Sequence, residues 1–189
     1  MKALVVYESM FGNTKQVARA IARGLEKSAE VELVEVSDAP PNPDVDVDLI
    51  VAGGPTHAFS MSRASTRGNA IDRGATEGEQ GIGLREWIEA LPKGRHADKI
   101  ATFDTRVRTM RHLPGSAAKG AAKAARHHRY ESAAPAESFY VDDIEGPLLG
   151  GELDRAEAWG EQLGASMPGP RASDIDRHGS PPAGLEENG

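Results

Sequence analysis

Residues 2–25 read KALVVYESMFGNTKQVARAIARGL, and three kinds of local order follow one another within them. Lys2 to Tyr7 is a short, β-rich apolar run, the pattern of a strand buried on both faces. Glu8-Ser9-Met10-Phe11-Gly12-Asn13-Thr14 then interrupts it with hydroxyls, an amide and one glycine. From Lys15 the spacing becomes helical, with Val17, Ala18, Ile21, Ala22 and Leu25 on one face. A loop entering a helix in this way aims unpaired backbone N–H groups and the positive end of the helix dipole at one spot, which attracts a phosphate. Ser9, Asn13 and Thr14 offer side-chain donors, and Gly12 allows close backbone approach.

What the loop lacks narrows its guest. There is no terminal Gly-Lys-Ser/Thr, which argues against a P-loop and triphosphate hydrolysis. There is no Gly-x-Gly-x-x-Gly, which argues against a dinucleotide pyrophosphate. Amides and hydroxyls around one dianion suit a mononucleotide. The alternative is a strand–turn–helix whose Ser and Thr merely cap; spacing, glycine and loop position together favour the phosphate site. The segment Tyr7 to Thr14 resembles the phosphate loop of the flavodoxin family. That resemblance implies FMN as cofactor, with Ser9, Met10, Phe11, Gly12, Asn13 and Thr14 around its phosphate.

The 189 residues suit one domain able to bury roughly 70% of its unfolded surface. No apolar run is long enough for a membrane span, and the chain starts directly in a strand, so neither a membrane anchor nor a secretory signal is expected. Cysteine is absent, which removes disulfides, thiolate catalysis and iron–sulfur ligation and is compatible with a cytoplasmic location. A formal charge of −7 argues against nonspecific nucleic-acid binding.

Beyond the first helix, Val31–Val36 alternates like a strand near an edge, and Pro40, Pro41 and Pro43 enforce a loop. Asp48–Gly54, Ile100–Phe103 and Ser138–Val141 are the next three strands. Helices are expected over Leu84–Leu91, from a Ser116 cap to about Arg129, and from about Glu152 with Leu153, Ala156, Trp159 and Leu163 facing inward. Strands alternating with helices give a doubly wound α/β domain with a five-stranded parallel sheet, helices on both faces and the flavodoxin-like order 2-1-3-4-5. The domain is expected over residues 1–166, with a disordered tail over 167–189 that is rich in Pro, Gly and charge. Gly146-Pro147-Leu148 leading into Glu152–Trp159 is similar to the ending of single-domain relatives of the family.

The resemblance also implies that two further loops bracket the flavin ring: Pro55, Thr56, His57, Ala58 and Phe59 after the third strand, and Asp104, Thr105 and Arg106 after the fourth. Family members often place a Trp and a Tyr there, and this chain has neither, leaving Phe59 and His57 as ring partners. Stacking is worth about 0.5–1.5 kcal/mol beyond burial, so its loss should loosen the grip without abolishing it. The same region is cationic, with His57, Arg63, Arg67, Arg106, Arg108, Arg111 and His112, whereas low-potential family members carry an acidic rim. An arginine about 6–8 Å from the ring, at an effective dielectric near 20, would favour an extra negative charge by about 2–3 kcal/mol before screening. The segment Met61–Gly83 shows little periodicity and reads as a long loop, either a lid, a docking surface or a floppy connection.

Other constellations carry less. His127 and His128 are adjacent on a helix and diverge by about 100°, which argues against a metal site. Asp142, Asp143 and Glu145 read as a solvated strand end. With no nameable catalytic acid or base, the chemistry is expected to belong to the cofactor. The leading expectation is a monomeric FMN-binding electron carrier between redox partner proteins or small redox acceptors. The alternatives are an FMN-dependent NAD(P)H:quinone-type reductase and a non-redox domain that kept the fold after losing flavin.

Overall fold

The computed structural model describes residues 1–43 and 46–167; the expected tail falls outside them except for Met167. Its elements run β1 (Lys2–Tyr7), α1 (Asn13–Leu25), β2 (Glu30–Glu35), β3 (Leu49–His57), β4 (Ser60–Met61), α2 (Ala64–Asp72) and α3 (Leu84–Ala90). They continue through β5 (Lys99–Val107), α4 (Ala117–His127), β6 (Glu131–Ser132), β7 (Glu137–Val141) and α5 (Glu152–Ser166). The main strands are parallel in the order β2-β1-β3-β5, with β6 and β7 both on the far side of β5. This is the expected doubly wound sheet, with one refinement at its edge. β6 pairs with the start of β5 and β7 with its end, so the fifth strand lies in two pieces. Pro135 lies in the gap, where a residue without an N–H cannot extend the ladder.

Residues of β1 alternate between two cores. Ala3, Val5 and Tyr7 join Val17, Ile21, Leu25, Trp159 and Leu163 on one face. Leu4 and Val6 join Trp87, Ile88, Ala117, Ala121 and Ala125 on the other. This two-sided burial is why the opening run is apolar throughout instead of alternating. On the first face Phe103, Phe139 and Trp159 meet edge to face with centroids 6.2–6.4 Å apart. α1 and α5 lie close together, because a Cβ built on Gly160 would stand 2.2 Å from the Ile21 carbonyl oxygen and one on Gly24 would stand 2.1 Å from that of Glu157.

The expected long loop over 61–83 is corrected: it contains the hairpin strand β4 and the nine-residue helix α2. Helix α2 buries only Arg67 and Ala70, so no apolar stripe announces it. Arg67 is fully buried and anchors the segment. It donates to the carbonyls of Gln80 (2.9 Å) and Gly81 (3.3 Å) and to Ser62 Oγ (2.8 Å), and pairs with Glu86 at 3.1 Å.

Gly160→Ala should cost about 2–3 kcal/mol, since its methyl meets backbone that cannot retreat without parting two helices. Gly81→Ala, where a Cβ would meet nothing within 4 Å, should stay within about 0.5 kcal/mol. Urea unfolding of the two variants beside the parent protein checks the contrast.

Candidate functional site

Parallel order brings the loops after β1, β3, β5 and β7 to one edge of the sheet, where ligands of such folds bind. The first is a turn around Gly12, which caps α1 at a φ of +81°, a conformation glycine adopts without strain. Ser9 Oγ accepts from the Gly12 N–H (3.1 Å) and the Lys15 N–H (3.4 Å), which leaves its own hydroxyl proton available to a ligand. Among the described residues the N–H groups of Met10, Phe11, Asn13 and Thr14 form no hydrogen bond with the protein. These four amides and the first turn of α1 present a cluster of open donors, the kind of arrangement to which an anion is attracted. Asn13 is directed elsewhere: its Nδ2 donates to the Glu145 carbonyl at 2.9 Å and ties the turn to the loop after β7. Thr14 and Thr105 share a buried hydroxyl–hydroxyl bond of 2.7 Å, joining the turn to β5.

From this turn a cleft of about 440 Å³ runs between Pro55, Thr56 and His57 on one side and Thr105, Arg106 and Val107 on the other. It opens into a second chamber of about 800 Å³, and the two share Phe11, Thr56, His57, Arg106, Val107 and Ile144. The second chamber is walled by Thr66, Asn69 and Ala70 of α2 and by Arg73, which caps its C-terminus, residues at the i, i+3, i+4, i+7 spacing of one helix face. Opposite stand Val107, Met110 and Ile144, which give an apolar wall in place of an aromatic plate.

Two residues expected at the ring, Phe59 and Asp104, are placed differently. Ala58 lines the second chamber, but Phe59 does not; it is 44% exposed at the tip of a two-residue hairpin turn. Both turn residues have positive φ, 46° and 63°, as such turns require, and this carries the Phe59 ring away from the cleft. Asp104 is fully buried and turned toward α4, where its Oδ2 accepts from Thr56 Oγ1 (3.0 Å) and the Ala118 N–H (2.9 Å). Arg67 is likewise absent from the cleft, held in the network described above. Arg63, Arg108 and Arg111 are exposed and line neither chamber. The expected cationic crevice therefore reduces to Arg106 and, across the second chamber, Arg73. His57 adds no charge of its own, because burial and the nearby Arg67 charge lower its pKa and keep it neutral.

Two carboxylates flank the turn from behind. Glu8 is buried, its Oε2 accepts from the Leu84 N–H at 2.8 Å, and its Oε1 has no hydrogen-bond partner among the described residues. Burial raises its pKa, while Ser62, the Leu84 amide and Arg67 oppose the rise. Glu77 pairs with Lys15 at 2.9 Å, so the nearest surface acid is already neutralised by a lysine of α1.

A family model, Flavodoxin, matches residues 5–81, from within β1 to just before α3. Solved structures match over nearly the whole described chain. An archaeal flavodoxin is 21% identical, with a TM-score of 0.58, and the match covers 87% of this chain and 97% of that one. A Streptococcus pneumoniae flavodoxin is 14% identical with a TM-score of 0.59, covering 88% and 100%, and flavodoxin 2 of Bacillus cereus is 17% identical with 0.55, covering 87% and 98%. The fold is the flavodoxin fold. The match to the family model over residues 5–81 agrees with that fold. No curated protein matches it.

Sequence reasoning missed the α2 face with the residue after it (Thr66, Asn69, Ala70, Arg73), Met110 and Ile144, while it placed Val107 with Asp104, Thr105 and Arg106 in the second loop at the crevice. Ile144 carried the one available signal, a lone apolar residue between Asp143 and Glu145. No helix among the described residues is long and apolar enough to cross a membrane, and none of their His, Asp and Glu cluster as a metal site.

Because the folded pKa of Glu8 lies above its ordinary value of 4.5, its share of stability is present at low pH and is lost as pH rises through that raised value. Urea midpoints measured from pH 4 upward should therefore fall for the parent protein relative to Glu8→Gln, which keeps an acceptor for Leu84 but cannot ionise. Parallel pH curves for the two would disprove this.

Proposed function

We propose that this chain binds FMN noncovalently and works as an electron carrier between redox partners. The observation that carries the reading is the junction itself: four unsatisfied amides at the start of α1 open directly into a cleft between the β3 and β5 loops. The donor set fits the group. An amide nest with the Ser9 and Thr14 hydroxyls suits a phosphate dianion, and the elongated cleft with one apolar wall suits a planar ring. When bound, FMN supplies redox chemistry that the side chains here do not. The chain's own part is to grip the phosphate through residues 9–14 and hold the ring between Thr56–Ala58 and Arg106–Val107, with Met110 and Ile144 as apolar contacts at the chamber wall.

One feature favours a second reading, an FMN-dependent reductase. The second chamber, faced by Asn69 and Arg73, has room for a small acceptor. Steady-state oxidation of NAD(P)H with a soluble quinone separates the two readings, since a carrier turns over only when a separate reductase is added.

FMN titrated into the apoprotein should give a yellow complex absorbing near 450 nm, with heat in calorimetry. Thr14→Val should weaken it about tenfold, or about 1.4 kcal/mol, the scale of one hydrogen bond to a charged group. A colourless protein with no binding heat would sink the reading.

A further inference from the structure

We infer that Arg106 is the residue that sets the charge preference of the cleft, so that this chain holds fully reduced, anionic FMN at least as tightly as oxidised FMN. The inference rests on the reading above. Arg106 is only 6% exposed and lines both chambers at their junction. Its Nη2 donates to the carbonyls of Met110 and Leu113, which fixes the guanidinium from behind. Its Nε is buried and has no hydrogen-bond partner among the described residues, and Arg106 forms no ion pair among them. A buried guanidinium with one unused N–H and no carboxylate against it is costly unless a ligand answers it.

No Asp or Glu lines either chamber. Asp104, two residues back on the same strand, is buried with its Oδ2 on Thr56 and the Ala118 N–H at the start of α4 and its Oδ1 without a hydrogen-bond partner among the described residues, so its charge lies behind the chamber wall and not in it. Burial lowers the pKa of His57 and favours its neutral form, and Arg73 across the chamber is exposed, where its charge is screened. Asp142, Asp143 and Glu145 are exposed, in bulk dielectric, where their effect is screened. A ligand entering this junction therefore meets the Arg106 guanidinium, the buried charged group that lines both chambers, and that charge favours its more negative form. Arg106 also lies outside the residues matched by the family model, in the part of the chain where the usual ring-flanking aromatic is missing.

Spectroelectrochemical titration of the FMN-loaded protein against free FMN reads the ratio of affinities for reduced and oxidised flavin. The native protein should show a ratio at or above one. Arg106→Gln should lower it about tenfold, a shift of about 30 mV for a two-electron couple, and Arg106→Lys should recover most of it. Equal weakening of both forms in Arg106→Gln would make the residue merely structural and overturn the inference. So would a native ratio well below one, which needs no variant to fold. A native protein that takes up no FMN at all fails the functional reading, a result distinct from either of these.

Discussion

The orientation of α1 is the constraint on which the site depends. Its N-terminal amides can receive an anion only if the helix starts at the carboxyl edge of β1 and stays pressed against the sheet and α5. Two glycines set that distance. With Gly24 facing the Glu157 carbonyl and Gly160 facing the Ile21 carbonyl, the helices approach at backbone contact. The salt links of Arg23 and Lys27 to Glu157 and Glu161 lie on the exposed flank of the same interface and contribute little beside it. A helix held this closely cannot tilt to let its first turn find other partners, so its open amides are a property of the packing.

The other half of the site is held by buried charge. Glu8, immediately before the turn, and Arg67 of α2 converge on Gly83, where a Cβ would stand 2.3 Å from Arg67 Nη1 and 2.7 Å from Glu8 Oε2. That crossing fastens the 78–84 segment under α2 and links it to the loop after β1. Buried ionic groups are a poor source of net stability, but removing one member leaves the others unpaired. The network therefore acts as a geometric lock: α2 presents Thr66, Asn69 and Arg73 to the cleft because Arg67, a residue on its adjoining face, fixes its rotation.

How much of this could be read from residues alone follows the kind of interaction. The five main strands and α1, α4 and α5 were legible because apolar burial leaves a period, and the turn around Gly12 was legible because a glycine and hydroxyls stand between a strand and a helix. Helix α2 left no period, since it is docked by an arginine and backbone carbonyls. The Ala58–Phe59 turn was hidden because neither residue is the Asn, Asp or Gly that usually marks a two-residue hairpin. Without that signal Phe59 reads as a ring partner, whereas its positive φ sends it outward. Asp104 misled for a related reason: strand position puts it at the crevice edge, but three open N–H groups at the start of α4 compete for acceptors there, and Asp104, Thr56 and Ser116 answer them.

The electrostatics of the cleft follow from these same competitions. A count of charged residues near the crevice gives many cations, yet each cation's effect depends on what already holds it. Arg67 is neutralised by Glu86 and surrounded by carbonyls, and Arg63, Arg108 and Arg111 face solvent, where a Debye length of about 8–10 Å blunts them. Arg106 differs because it is itself buried, lines both chambers, and is oriented by the carbonyls of Met110 and Leu113 with no ion pair of the kind that Glu86 gives Arg67. One cation in that position outweighs several on the rim. Sequence charge therefore gives the sign of the field, and the hydrogen-bond partners of each side chain decide which residue exerts it.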